Sequence, residues 1–568
     1  MSKKIPLIKA SRANRPRNAF DLSQKHLFTA HAGMLLPVMT LDLIPHDHVS
    51  IQATDFMRCL PMNSAAFMSM RGVYEFFFVP YSQLWHPFDQ FITGMNDYNS
   101  SFVSSHFKGK SPQTIPSISR QDLLDIFSQA SDEVLKPDFD FKGSGVDVFK
   151  FNHLLNAARL YDLLGYGVYL NSDGTKRKDI EVETLATKER VTPFRLLAYQ
   201  KIYADYYRNT TYEPVDVTSF NIDNVNTLSK GEIMKFAQLR YRNAQLDYFT
   251  NLRPSPLFSE IPSGMLDGLY GVSQNSALGE VTQDTSGYSL TPGNYSVDIK
   301  QSNSSLLSVS TIRNAFALDK LLQITQRAGK TYAEQIKAHF GFEVSEGRDG
   351  KVTYIGGFDS NIQVGDVTQT AGTTASPEQG VSIKHGGYLG RVTGKAQGSG
   401  SGHIEFDAHE HGMLMCIYSL VPDMQYDSTR IDPFVVKQSR GDFFIPEFEN
   451  LGMQPLQGRF ISDRSTEQGD RFKGWQPRYS EYKTALDINH GQFVNNQPLS
   501  YWTIGRGRSN ETLDTFSIAS LKINPRWLDS VFAVNYNGSQ ITDCVFGGCQ
   551  FNIQKVSDMS EDEKLVAT

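Results

Sequence analysis

Strand-like and helix-like rhythms alternate along this chain. From Met34 to Pro80 the apolar positions read as strands, ending in Val73–Pro80 (VYEFFFVP), a β-branched and aromatic run that stops at proline as a buried strand does. Helical spacing follows. Arg120–Ala130 opens after Ser119 and sets Leu123, Leu124 and Phe127 on one face. His153–Leu164 places Leu154, Ala157, Ala158, Tyr161 and Leu164 at i, i+3, i+4 spacing before the stop at Gly165. Pro193–Asn209 starts with proline and carries the aromatic run LLAYQKIYADYYRN, and Ser229 with Glu232 makes a capping box ahead of another apolar stretch. Thr311–Ala328 is a strong helix, and Thr331-x-x-Glu334 opens a second one that stops at Gly341.

Leu257–Ser308 breaks this rhythm. It is rich in Ser, Gly, Asn and Thr and reads as a long surface excursion between two helical blocks. After residue 350 the strand pattern returns, with candidates at Met413–Pro422, Asp442–Phe448, Phe516–Ile523 and Phe551–Val556 and a flexible glycine-rich loop expected at Gly394–Gly402. There is no internal repeat and no Pro/Ser linker. The simplest architecture is one mainly β body, built from both ends of the chain, with a long helical insertion in its middle.

Composition narrows the class. Apolar residues make up 40% and aromatics 12% of 568 residues, enough for a large packed core. The net charge of −6 argues against a surface that binds nucleic acid everywhere. The two ends depart from that average. Lys3, Lys4, Lys9, Arg12, Arg15 and Arg17 precede the first acid, Asp21, while Ser557–Thr568 is acidic and polar; both read as tails. No apolar run reaches the ~18 residues of a membrane span. The N-terminus has no apolar signal core. Four cysteines without a C-x-x-C pair make a disulfide scaffold unexpected. Cytoplasmic synthesis in a reducing compartment is the expectation.

Candidate chemistry is sparse. Gly390–Lys395 (GRVTGK) is one residue short of a phosphate loop and lacks the following Ser or Thr. GSGSG at Gly398 puts glycine where a nucleophile elbow needs serine. His403–Gly412 (HIEFDAHEHG) would align His403, Glu405, Asp407, His409 and His411 on one strand face. Those are metal-ligand types. At ~6.6 Å between alternate residues, however, one straight strand brings only one or two to a single ion. The polar face of a half-buried strand is the simpler reading; a metal-dependent or carbohydrate-active β-sandwich using His403–His411 is the alternative. His46-Asp47-His48 reads as a polar turn after Pro45, and Cys544 and Cys549 as reduced core thiols. No catalytic, cofactor or metal residue is assigned. The basic arm is the best nucleic-acid signal, because each Lys or Arg on a phosphate releases a counterion whatever the base sequence.

Several stretches resemble one family, the major capsid proteins of the Microviridae, nearest its gokushovirus-like branch. These are RNAFDLSQKHLFTAHAGMLLPV with LIPHDHV (Leu43–Val49), RGVYEFFFVPYSQLWHPFDQFI (Arg71–Ile92), PFRLLAYQKIYADYYRN (Pro193–Asn209) and AQLDYFTNLRPSP (Ala244–Pro256). Ser310–Gly341 is the most specific stretch, and EHG (Glu410–Gly412), RGDFFIPEFENLGMQPL (Arg440–Leu456) and RYSEYK (Arg478–Lys483) continue the order. Two departures stand out: His46 occupies the place of a family glycine, and Lys351–Gly357 lacks an Arg-Pro-Glu before its tyrosine and glycines.

The resemblance implies an eight-stranded antiparallel jelly-roll β-sandwich, non-enzymatic, sixty copies of which close a T=1 icosahedral shell around circular single-stranded DNA. It divides the chain into a basic arm (1–24), a jelly-roll domain (25–556) with a helical insertion over about 119–341, and an acidic tail (557–568). Leu257–Ser308 would then be a threefold surface protrusion facing the host. The implied partners are further copies of the chain, genomic single-stranded DNA, a small basic DNA-binding protein, a pilot protein, a host surface receptor and, optionally, an internal scaffolding protein. Lys3, Lys4, Lys9, Arg12, Arg15 and Arg17 are the expected DNA contacts. Sixty such arms neutralise only about a tenth of a genome of a few thousand phosphates, so a separate basic protein and cations are needed.

Overall fold

The computed structural model describes residues 17–62, 66–94, 114–119, 123, 153–167, 189–223, 230–254, 281–284, 287–290, 309–328, 332–343, 350–368, 392–427, 431–449, 452–457, 460, 472–494, 497–506, 521–528, 531–532, 535–536, 539–540 and 543–559. Nine strands form its centre: β1 Asn18–Asp21, β2 Gln24–Ala30, β3 Leu36–Leu43, β4 His48–Cys59, β5 Met70–Pro80, β6 Thr353–Thr368, β7 Val392–Asp407, β8 Gly412–Pro422 and β9 Val545–Ser557. They follow one another as β1-β9-β4-β7-β6-β5-β8-β3, with β2 also on β9, and every pairing is antiparallel.

Four of these pairings are nested: β2 with β9, β3 with β8, β4 with β7, β5 with β6. First pairs with last and the innermost two pair with each other, as when a long hairpin is rolled up on itself. That is the jelly roll. One half is β1/β2-β9-β4-β7, the other β6-β5-β8-β3, and the β6–β7 hairpin continues the ladder from one half to the other.

Burial separates the two halves. β4 and β9 largely alternate buried with open positions, so one face meets the core and the other is open. β8 is buried at every position and β5 at nearly all. Their second face is covered by the connection from β5 to β6, residues 81–352. Its helices include α1 Tyr81–Leu84, α2 Phe88–Thr93, α3 His153–Leu163, α4 Phe194–Ile202 and α5 Lys230–Phe236. α3 touches β3, and α4 touches β5 and β8. This two-sided burial is why VYEFFFVP is a continuous apolar run. Phe76 points toward Phe551 across the sandwich, while Phe77 meets Tyr206, Tyr207 and Tyr354 on the other side.

The expected helices at His153–Leu164 and Pro193 are present. α4 departs from the α pattern at its end: Tyr203–Tyr207 is a π turn. The wider turn sets three hydroxyls on three partners. Tyr203 donates to Glu213, Tyr206 to the Val352 carbonyl (2.5 Å) and Tyr207 to Glu75 (2.5 Å). α6 Val309–Arg327 and α7 Tyr332–Phe340 match the two later helices, and α7 buries none of its side chains. Of Arg120–Ala130 only Leu123, helical and buried, is described. The Leu257–Ser308 excursion lies outside the described residues except for the hairpin Val281–Asp284 with Gly287–Leu290.

Two expectations are corrected. Gly394–Gly402 is no loop; it is the first part of β7, paired with β6 from Val392 to Gly398 and with β4 from Gln397 onward. Its glycines face close neighbours: a Cβ on Gly402 would come within 2.6 Å of the Phe358 ring, and one on Gly398 within 2.9 Å of Ile362. Asp442–Phe448 is no strand. Arg440–Asp442 and Pro446–Phe448 are 3-10 turns, because Asp442 Oδ2 accepts from the Gln438 and Ser439 amides and Pro446 has no N–H to give a ladder. Phe516–Ile523 is described only from Leu521, where Lys522 makes a single bridge to Asn243.

The connection from β8 to β9, residues 423–544, is the second long excursion. Gln425–Asp427 lies between Ile488–Asn489 and Gly505–Arg506, Met453–Gln457 pairs with Phe472–Pro477, and Tyr248, Phe249, Leu252, Tyr426 and Leu456 make a small separate core.

Candidate assembly and nucleic-acid surfaces

The first and last described segments meet at one corner of the sandwich. β1 pairs with the end of β9, Asn18 opposite Ser557, so of the arm expected over 1–24 residues 18–21 already belong to the sheet. Arg17 sits at the root. Its guanidinium donates to the His46 carbonyl (2.7 Å) and lies 3.4 Å from Asp558, while His46 Nδ1 is 3.0 Å from the same carboxylate. Asn18 donates to the Met559 carbonyl at 2.6 Å. His46 has φ +75°, the left-handed region that glycine fills most readily. Histidine is among the residues that tolerate it, and here its ring also reaches Asp558. Lys3, Lys4, Lys9, Arg12 and Arg15 lie outside the described residues.

The turn expected at His46–His48 is built around a buried carboxylate. Asp47 Oδ2 accepts from the Ile44 amide (3.0 Å) and from Lys555 Nζ (2.7 Å), tying the β3–β4 turn to β9.

The His403–His411 stretch does not stay on one strand. β7 ends at Asp407, and His409, Glu410 and His411 fall in the turn before β8. His403 pairs with Glu405 at 3.2 Å and half-buried His48 with Asp407 at 2.8 Å, the other three exposed. Glu410 accepts from Ser82, and the His411 ring lies edge-on to Phe88 at 5.8 Å. Among the described residues no three His, Cys, Asp or Glu side chains converge on one point as a metal ion needs. The alternation of buried Ile404 and Ala408 with exposed His403, Glu405 and Asp407 is that of a half-covered strand.

The four cysteines form no disulfide and are buried, with Cys544 Sγ 3.2 Å from His31 Nε2. Burial pushes the Cys59 and Cys549 thiols up to about 12 and Cys416 well above its ordinary value, so none of these three is a nucleophilic thiolate at neutral pH. A cavity of about 1290 Å³ lies between β5, β6 and the insertion. Ion pairs lie along or beside it: Arg242 with Glu75 at 2.5 Å, Arg71 with Asp359 at 3.3 Å and with Asp423 at 3.8 Å. The Arg242–Glu75 pair fastens the insertion to β5, while Arg71 links β5 to β6 and to the end of β8. No helix among the described residues is long and apolar enough to cross a membrane.

The described residues form a rolled-up sandwich with two long inserted connections. The capsid protein (F protein) family model matches residues 8–121 and 178–561.

The chain belongs to that capsid family.

It is 23% identical to capsid protein VP1 of Chlamydia phage 1 over 87% of each chain, and 23% identical to capsid protein VP1 of Bdellovibrio phage phiMH2K over 82% of this chain and 81% of the relative. Capsid protein VP1 of Spiroplasma virus 4 is 21% identical over 55% of this chain. The resemblance to Microviridae capsid proteins of the gokushovirus-like branch is thereby borne out, as is the structural role. The family match skips residues 122–177, which contain α3. In this chain α3 nevertheless packs on β3 with Ala157, Leu160 and Tyr161 buried. What the sequence reading missed is the β8–β9 connection. Its one visible signal was an aromatic run interrupted by proline, FFIPEF, which fits neither a paired strand nor a polar loop.

Proposed function

We propose that this chain is the major capsid protein of a small phage: sixty copies close a T=1 shell around circular single-stranded DNA. The nested jelly-roll pairing carries the reading, since it makes a rigid wedge from both chain ends and leaves its connections free to meet neighbours. The arm Lys3, Lys4, Lys9, Arg12, Arg15 and Arg17 faces the genome in this reading, and Leu257–Ser308 faces the host receptor. A small basic DNA-binding protein and a pilot protein share the particle, and an internal scaffolding protein is an optional assembly partner. Assembly takes place in the bacterial cytoplasm. The role is purely structural. Buried thiols, matched ion pairs and the dispersed histidines support that.

Negative-stain microscopy and light scattering of the expressed full chain test it. Closed particles about 25–30 nm across are expected, from sixty wedges at ordinary protein density. A chain that stays monomeric at every concentration, with or without the other virion proteins, overturns it.

A further inference from the structure

The β8–β9 connection carries a surface that a lone subunit has no use for. Residues 431–449 run over the outside with almost no burial. Their backbone bonds are local turns, such as Val435 N to Asp432 O and Phe448 N to Ile445 O, both 3.0 Å. Yet this run holds Phe434, Val435, Phe443, Phe444 and Phe448, with Tyr482 against it. Val435 is 77% exposed and Phe443 52%.

The rings form one patch. Phe434 lies 5.0 Å from Tyr482, and Phe444 lies 6.3 Å from Tyr482 and 5.0 Å from Tyr479. Lys437 anchors them to the body. Its Nζ sits 4.1 Å from the Tyr482 ring centre and 4.7 Å from that of Phe434, and it pairs with Glu481 at 3.0 Å, nearly buried.

At ~150–250 Å² per large side chain, the open fractions here, with Ile431 and Ile488 beside them, leave roughly 700 Å² of apolar surface. The largest patch on an ordinary monomer is ~300–600 Å². One side of a stable protein contact buries ~800 Å². The patch therefore supplies most of one side of such a contact. Its layout also fits, with an aromatic centre and a charged rim that includes Arg440, Glu447 and Lys483. A rim of both signs suits a protein partner better than an anionic lipid surface, which selects for basic residues.

We infer that the face built by residues 431–449 and 479–488 is a contact between two copies of this chain in the shell. The inference rests on the capsid reading and adds where copies touch.

Hydrogen exchange on the wild-type full chain, as dissociated subunits and as particles, reads this contact without a mutation. Amides of 431–449 are expected to slow about tenfold or more on assembly. Val435→Asp and Phe443→Ser are expected to raise the concentration needed for particles by about tenfold or more, with the subunit melting temperature unchanged. If particles form and these amides exchange as fast as in subunits, the inference fails and the capsid reading stands. If the wild-type chain is monomeric in sedimentation at all concentrations, the capsid reading fails and this contact with it.

Discussion

Lys522 and Glu213, from two different insertions, meet at 2.6 Å inside the protein, the amine wholly buried and the carboxylate nearly so. Lys522 also donates to Tyr203 Oη at 3.0 Å. The pair joins the β5–β6 connection to the β8–β9 connection beside the backbone bridge of Lys522 with Asn243.

Losing one partner of a buried ion pair costs ~3–5 kcal/mol. Glu213→Ala is expected in that range, since it leaves a buried ammonium beside Arg240 and Arg208. Lys522→Met should cost less, because Glu213 keeps the Tyr203 hydroxyl and the Asn209 amide. Denaturant unfolding of the two variants checks the order. Burial pushes the Lys522 amine down to about 8, against the pull of Glu213. An unfolded lysine holds its proton to ~10.4. Between those values the unfolded chain binds more protons, so stability rises with pH. The wild type should gain on Lys522→Met from about pH 8 to about pH 10, and a flat difference would contradict this account.

Asp55 on β4 is buried inside the sandwich with Ser360, Gly400 and Tyr74 around it, and burial raises its carboxyl pKa. The unfolded carboxyl ionises near ~3.9. Above that pH and up to the raised folded value, the folded chain binds more protons, so stability falls as pH rises. Asp55→Asn keeps the shape without the charge. Its stability relative to wild type is expected to improve as pH climbs from about 4, measured by thermal melts at a series of pH values; a pH-independent difference counts against a raised pKa.

Gly402→Val tests the glycine stripe of β7. Phe358 stacks on Tyr74 at 4.6 Å and lies where the new Cβ would go. Overpacking a core costs ~1–3 kcal/mol. A loss in that range is expected by denaturant unfolding, whereas a flexible loop would accept the change at almost no cost.

Removing residues 1–16 tests the arm while sparing Arg17 and its contacts with His46 and Asp558. Particles are expected to form with less DNA retained, and the retained DNA should be released at lower salt. Unchanged nucleic-acid content in purified particles contradicts the arm's role.

Much was legible in single runs of residues. β5 and β8 announce themselves as apolar runs closed by proline, the second half of β9 as the alternating Phe551–Val556, and α3, α4 and α7 show helix-start or helix-stop residues. Such signals need no partner, because propensity and capping act within a few residues. The β7 glycines are the opposite case. Gly398, Gly400 and Gly402 look like a flexible loop until Ile362, Asp55 and Phe358 are seen pressed against them. The Asp442–Phe448 run and the Lys522–Glu213 pair likewise take their meaning from neighbours far along the chain. Local pattern was enough for the kind of most strands and helices. Long-range packing alone chose which surfaces close on each other, since contact between residues hundreds of positions apart leaves no period in the sequence.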